Sequence, residues 1–576
     1  MADQDSERVT IEVDASRSRG PLKRIWRSIG YDELNWTYTQ TGKRIFDEIA
    51  ALNDGPFWIR NHNIFSSGNL RSSPYEASTN CYREDADGKP IYDWTTVDRI
   101  YDVFVGAGCK PMVELDFMPH DLSSRPASDV SKWPDNNNPY KSCRWPPKDY
   151  DKWRELNRQF ALHLIERYGR EEVRTWYFSS WNEPDGVDWV NIFKVEGRSQ
   201  EEHEASRRTE FLKIHDYAID GILAADEKLR VGGPDIAGVA DFLEMFLRHC
   251  DSGTNHATGK TGTRLDFVSF HTKGTGLKNG KLKNPDCDHI ARRGLLHFHK
   301  VMRKFPKFQD LPVLCNEWDI DVWSPGGIHD HPNFRYRNTS YFPVFLIRSV
   351  KELLDVSERE KINLELITQW VFYFHGMRCF EGTRAIFDPL GIRKPVFNGF
   401  ELLARLGTER LSLATDDRSR DIVPGEEAGN GRCPREEADA AKLGERKSIQ
   451  PHPRVDGLAA RSDRGVQVLV WNQQVDQFAT GSRPVTVRFA GLGEARTVRV
   501  VEHRIDEDHS NAHTAWEKQG CPDWPTEAEV AAIRTREKLE KAQPDRILAA
   551  ENGCIEIMLS LPMHAVSLLE IETEPV

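Results

Sequence analysis

The chain lacks any run of 18 apolar residues, so no segment is long enough to cross a bilayer as a helix. Its ten cysteines (Cys81, Cys109, Cys143, Cys250, Cys287, Cys315, Cys379, Cys433, Cys521, Cys554) stand far apart. They form no CxxC pair and no Cys/His zinc spacing, so reduced thiols are expected and no metal or other cofactor is. There is no GxxxxGK[ST] loop for nucleotide phosphates, and Gly232-Gly233-Pro234 reads as a strand-end turn. Gly-x-Ser-x-Gly is missing too, which argues against a serine hydrolase. Positive charge is in deficit: 78 Lys+Arg against 90 Asp+Glu leave a net charge of −12. That balance excludes global attraction to nucleic acid or anionic lipid. The opening MADQDSERVTIEVDASRSRG has neither an apolar h-region nor a small-residue cleavage site, so a cytoplasmic protein is expected.

What is present is a long globular chain of 576 residues, 39% hydrophobic and 29% charged, with 16 tryptophans. Short apolar runs occur at Ser28–Asp32, Phe57–Asn61, Pro111–Phe117, Thr175–Asn182, Arg230–Pro234, Asp266–His271, Pro312–Glu317 and Leu366–Phe374. Amphipathic stretches such as Asp149–Tyr168, Glu204–Ala225, His289–Phe305 and Tyr341–Leu354 alternate with them. Eight strands interleaved with helices predict an α/β fold, a (β/α)8 TIM barrel over residues 21–410. Residues 411–576 carry further β-rich runs and predict an accessory β-sandwich, with a charged loop at 416–450 and a helical insertion at 506–545. The insertion includes a helix over Thr526–Ala542. Residues 1–20 supply a strand expected to join that sandwich.

Several barrel runs end in ionisable groups: Arg60-Asn61-His62, Glu114-Leu115-Asp116, Asn182-Glu183, His271 and Asn316-Glu317. The C-terminal strand ends of such barrels form the site. Any one of these groups alone reads as a loop-facing polar residue. Two Asn-Glu pairs, ending strands 4 and 7, do not. Paired carboxylates across a cleft suit glycosidic bond cleavage, one protonating the leaving oxygen and the other attacking or stabilising the sugar cation.

With Ile59-Arg-Asn-His62, Glu114-Leu-Asp-Phe-Met-Pro119, Trp181-Asn-Glu-Pro-Asp185, Asn316-Glu-Trp318 and Lys394-Pro-Val-Phe-Asn-Gly-Phe400 in this order, the chain resembles glycoside hydrolase family 39, the retaining β-xylosidase and α-L-iduronidase family. The likeness runs from about Ile29 to Leu411, with echoes at His509–His513. It implies that Glu183 is the acid/base and Glu317 the nucleophile. It further implies that Asn182 holds the sugar 2-hydroxyl, Arg60 keeps Glu317 ionised, and His62 touches the sugar. His271-Thr-Lys273-Gly resembles the iduronidase pattern, in which the lysine binds a uronate; Arg384 is a looser second cation. Cys379-Phe-Glu381 resembles instead the xylosidase segment whose glutamate binds neutral hydroxyls, and a Lys273–Glu381 ion pair would favour a neutral sugar. Trp370 resembles the aromatic on which the sugar stacks, and Trp181, Trp318 and Trp323 stand near the same strand ends.

The expectation is a retaining exo-glycosidase, β-D-xylosidase-like, acting on short oligosaccharides. The alternatives are a uronide-specific enzyme of the α-L-iduronidase kind and an inactive carbohydrate-binding protein. The partners expected are an oligosaccharide or glycoside substrate, no nucleic acid, no membrane, and a homo-oligomer as an open option.

Overall fold

The computed structural model describes residues 8–68, 77–126, 143–186, 189–192, 196–275, 277–278, 281–282, 285, 287, 289–321, 326–371, 376–419, 453–493 and 497–573. Eight parallel strands close a barrel: Ser28–Tyr31 (β1), Trp58–Asn61 (β2), Lys110–Leu115 (β3), Tyr177–Ser180 (β4), Arg230–Ile236 (β5), Phe267–Thr275 (β6), Val313–Asp321 (β7) and Leu364–Trp370 (β8). A helix follows each strand: Gln40–Ala50 (α1), Thr95–Gly106 (α2), Tyr150–Tyr168 (α3), Gln200–Ala225 (α4), Ala240–Ser252 (α5), Leu296–Met302 (α6), Tyr341–Glu360 (α7) and Pro395–Ala404 (α8). Local chemistry starts several of them. Thr39 and Asp149 cap α1 and α3, and Ser199 with Glu202 forms a capping box on α4.

Side chains two apart on a strand share a face, so the barrel interior is built in layers. Met112, Tyr177, Phe267, Leu314 and Leu366 form an apolar layer. Two residues further along each strand the inward positions turn polar: Glu114, Ser179, Ser269, Asn316 and Thr368, all buried. Above the apolar floor Glu114 is bonded by Arg60 and His62, Ser179 and Ser269 donate to Asp235, and Thr368 bonds Ser28.

All eight expected barrel strands are present. Several run past the hydrophobic pattern: β6 reaches Thr275 and β7 reaches Asp321. The expected helix over Thr526–Ala542 is shorter, Glu527–Arg534, because the chain leaves the helix at Thr535; a separate helix covers Ala512–Lys518.

Beyond the barrel lies a sheet of ten strands. It includes Glu409–Thr415 (β9), Val455–Ser462 (β10), Gly465–Asn472 (β11), Ser482–Ala490 (β12), Thr497–Ile505 (β13), Ile555–Pro562 (β14) and Ala565–Thr573 (β15). The N-terminal strand Val9–Pro21 enters it between β9 and β12, antiparallel to the first and parallel to the second. One apolar cluster unites Ile11, Val468, Val487, Ile557 and Leu569. The other face of the sheet is buried on the barrel through Leu458, Leu469, Trp471 and Leu568. Asn398 on α8 donates to Ser510 O (2.9 Å) and Glu537 O (3.1 Å), which ties the 394–400 motif to the segment after β13. Most of the expected charged loop 416–450, from residue 420 on, lies outside the described residues. Cys81, Cys109, Cys250, Cys315 and Cys379 are buried thiols, and Cys521 and Cys554 are exposed ones.

Candidate active site

Asn182-Glu183 follows the end of β4, Asn316-Glu317 lies within β7, and the two pairs come together. Glu183 sits in the left-handed region (φ +43°), and its N–H donates to Asp235 O at 3.0 Å. The following turn is clamped by Arg207 of α4. Its guanidinium donates to the carbonyls of Pro184, Asp185 (3.3 Å) and Gly186 (2.9 Å). Asp185 in turn accepts from the N–H groups of Ala237, Gly238 and Val239 at 2.8–3.0 Å. Glu317 arrives differently. An irregularity in the β6–β7 register follows Cys315 and sets Glu317 opposite His271. An extra residue of this kind re-aims a side chain.

His271 joins the carboxylates. Its Nδ1 is 2.9 Å from Glu183 Oε1 and 3.4 Å from Glu317 Oε2. The nearest oxygens of Glu183 and Glu317 lie within 4.8 Å of each other. Arg60 Nη1 reaches Glu317 Oε2 at 3.2 Å, and Lys273 Nζ pairs with Glu317 Oε1. Arg60 also bonds Glu114 (2.5 Å) and Asn182 Oδ1 (2.9 Å), and it lies over the Trp370 ring at 5.1 Å. His62 Nδ1 is held by Glu114 Oε2 at 2.5 Å, and its Nε2 lies 3.9 Å from Glu317.

The charges follow from this packing. Burial pushes the Glu317 carboxyl up, but Lys273, His271, Arg60 and His62 together hold it well below the ordinary carboxylate range. Glu114 goes the other way: burial raises it well above that range despite Arg60. Burial lifts Asp319 to about 7, against the pull of Arg384.

The structure thus brings Arg60, His62, Asn182, Glu183, His271, Lys273 and Glu317 into one cluster. It corrects other expectations. Lys273 pairs with Glu317, because its place on β6 faces β7. The Glu381 carboxylate instead accepts from the N–H groups of Met377 (2.7 Å) and Arg378 (3.2 Å) in its own turn. Arg384 pairs with Asp319 at 2.6 Å, deep in the barrel wall. Trp370 is buried and lies against Gly30, where a Cβ would come within 2.1 Å of the ring. It therefore backs Arg60 and His62, whose ring is 4.7 Å away. Trp318 is fully buried against Phe345, and Trp181 against Phe117, so neither lines an open cleft. Trp323 lies outside the described residues.

The sequence reading missed Asp32, Asp235, Asp319 and Trp189. Asp32 was legible as the last polar residue of its strand. Trp189 stacks on Phe117 at 5.3 Å from a loop with no periodic pattern. Two His/acid triads here, His62–Glu114–Asp116 and Glu183–His271–Glu317, have a metal-like arrangement of donor atoms. Arg60 already sets a positive charge against both Glu114 and Glu317, so the donor set fits hydrogen bonding better than a cation.

The sequence profile described as "Glycosyl hydrolases family 39" matches residues 9–550. The chain belongs to that family. It is a glycoside hydrolase, and its substrate is a glycan. A β-xylosidase of Caldicellulosiruptor saccharolyticus is 26% identical over 499 residues, 85% of this chain and 86% of its own. Human α-L-iduronidase is 24% identical over 587 residues, 96% of this chain and 77% of its own. The solved structure of a monomeric β-xylosidase from Caulobacter crescentus superposes with a TM-score of 0.73 at 22% identity, covering 99% of this chain and all of that one. No helix among the described residues of the glycosidase is long and apolar enough to cross a membrane.

Proposed function

We propose that this glycosidase removes a terminal neutral pyranosyl residue, β-D-xylosyl first among them, from short oligosaccharides with retention of configuration. The observation that carries the reading is the approach of the Glu183 and Glu317 oxygens to within 4.8 Å. Retaining enzymes keep their carboxyl groups ~5–5.5 Å apart, whereas inverting enzymes need ~6.5–9.5 Å to admit a water.

In the first step Glu317 Oε attacks the anomeric carbon. The bond to the leaving oxygen breaks, and that oxygen takes the Glu183 proton. In the second step a water gives its proton to Glu183 and its oxygen to the anomeric carbon, which frees Glu317. The cations around Glu317 keep the attacking carboxylate ionised. Asn182, fixed by Arg60, stands beside the anomeric centre to bond the 2-hydroxyl.

Charge matching favours a neutral ring. Lys273 is matched by Glu317 and Arg384 by Asp319. A uronate carboxylate would enter a cleft already rich in acids, at a cost of roughly 1–4 kcal/mol per close contact. A uronide reading rests on Lys273 itself, whose side chain keeps 12% of its surface exposed beside Glu317 and can turn toward a ligand.

A panel of aryl β-D-xyloside, α-L-arabinoside, β-D-galactoside and α-L-iduronide separates the readings. The β-xyloside should have the highest kcat/KM, NMR should show the same anomer formed first, and a xylo-oligosaccharide should lose single xyloses from one end. An inverted first product would overturn retention, and preference for the iduronide would overturn the neutral sugar.

A further inference from the structure

Asp32, at the end of β1, is set apart from the other acids around the cleft. Glu114 is bound by Arg60 and His62. Asp116 accepts from Asn63 N–H at 2.8 Å. Asp235 takes the hydroxyls of Ser179 (2.6 Å) and Ser269. Asp319 pairs with Arg384, and Asp321 with Arg337. Each of these five side chains is fully enclosed. The Asp32 side chain keeps 22% of its surface exposed, the same share as Glu183. Among the described residues its carboxylate receives no hydrogen bond; its one ion-pair contact is His62 Nε2 at 3.4 Å. A mostly buried carboxylate with unfilled lone pairs is costly unless something else fills them.

Its place says what could. In the closed barrel β1 lies between β8 and β2, across from β5. Glu183, after β4, and His271, on β6, stand on the opposite arc, and Glu317 stands on β7, two strands from β1. A pyranose with its anomeric carbon between Glu183 and Glu317 therefore extends its far edge, C3 and C4, toward β1. His62, held on its other nitrogen by Glu114, lies 3.4 Å from Asp32 and 3.9 Å from Glu317 through the same Nε2, so both carboxylates are within reach of one sugar ring.

We infer that Asp32 is a substrate-contacting residue, whose two oxygens accept hydrogen bonds from the neighbouring C3 and C4 hydroxyls of the ring held between Glu183 and Glu317, and whose charge turns away a ring bearing a carboxylate. The inference rests on the placement of the glycosyl ring proposed above. A vicinal diol presents two donors at the spacing of a carboxylate's two acceptors, which is what this side chain lacks.

The test is a cycle on the aryl glycoside of the panel that the wild type turns over fastest, together with its 3-deoxy and 4-deoxy analogues. The wild type should lose about ten- to a hundredfold in kcat/KM on a deoxy analogue, as for other hydrogen bonds to a charged group. Asp32→Ala should lose a similar factor on the parent and little more on at least one analogue. Asp32→Asn should keep the wild-type melting temperature and raise the uronide-to-xyloside ratio of kcat/KM. Losses that multiply independently for both analogues would overturn the contact, and so would an unchanged ratio in Asp32→Asn for the charge role. Wild-type preference within the panel reports on the substrate reading separately, since the cycle runs on whichever sugar is preferred.

Discussion

β7 and the turn after β4 carry the same dipeptide, Asn-Glu, and make different things of it. Glu317 is enclosed by three cationic or ionisable donors, His271 and Lys273 from the adjacent β6 and Arg60 from β2, with His62 slightly further off. Its side chain is 8% exposed. Glu183 meets one of those groups, His271, and is 22% exposed. The residue type is therefore not what assigns the chemistry. A carboxylate surrounded by positive charge stays ionised and can attack, whereas one at the open edge of the cleft can exchange a proton with solvent and leaving group. The backbone repeats the contrast. Glu317 is aimed by a strand irregularity inside the sheet, and Glu183 by a turn held from outside by Arg207 and Asp185.

The strongest way to break the comparison is to remove each carboxylate in turn. Glu317→Ala should lower kcat on the order of 10⁴- to 10⁶-fold for every substrate, as the loss of a covalent nucleophile does. Azide should restore part of the rate and yield a glycosyl azide of inverted configuration. Full activity in this variant would show that the β7 carboxylate is not the nucleophile. Glu183→Ala should be milder and selective, losing on the order of 10²–10⁴-fold with an alkyl or sugar leaving group and far less with a nitrophenyl one. Equal losses for both leaving groups would remove the distinction between the two ends.

Much of this contrast was legible before the structure. Alternation and turn residues placed all eight barrel strands, because a parallel strand buried on both sides must be apolar until it meets the site. The polar breaks in those runs, Arg60, Glu114, Asn182-Glu183 and Asn316-Glu317, then marked the cleft. Pairing across strands was not legible. Whether Lys273 met Glu317 or Glu381 depended on a β6–β7 register with an irregularity in it, and pattern gives no register for a parallel sheet. Tryptophans misled for a related reason. Trp181, Trp318 and Trp370 stand beside the cleft in sequence but turn into the layer behind it, where large apolar rings are buried. Asp32 was passed over because a single acid at a strand end looks the same whether or not anything fills its lone pairs.

The turn that aims Glu183 offers a smaller test. Arg207→Lys replaces a planar fork bonded to three carbonyls with a single ammonium. Glu183, the proposed acid/base, should then be displaced while Glu317 is untouched. A loss of about tenfold is expected for poor leaving groups, with little change for nitrophenyl substrates, and Arg207→Met should widen the gap. A uniform loss across leaving groups would mean that Arg207 supports the fold and not the acid/base.

The smallest expected effect is the most diagnostic of the β7 end. Lys273 is the strongest of the attractive charges that hold Glu317 low. In Lys273→Met that pull is lost while burial, which raises the carboxyl, remains. The Glu317 pKa must therefore rise. In the proposed mechanism activity needs the ionised form, so the acidic limb of kcat/KM falls where Glu317 takes up its proton. The limb should move to higher pH in the variant, with the basic limb in place. Near neutral pH Arg60, His271 and His62 still keep Glu317 ionised, and kcat/KM for a neutral pyranoside should fall by no more than about tenfold, the low end for a hydrogen bond to a charged group. An unmoved acidic limb would mean that the asymmetry between the two ends does not depend on Lys273. A selective collapse of uronide hydrolysis would instead make Lys273 a contact of the substrate carboxylate.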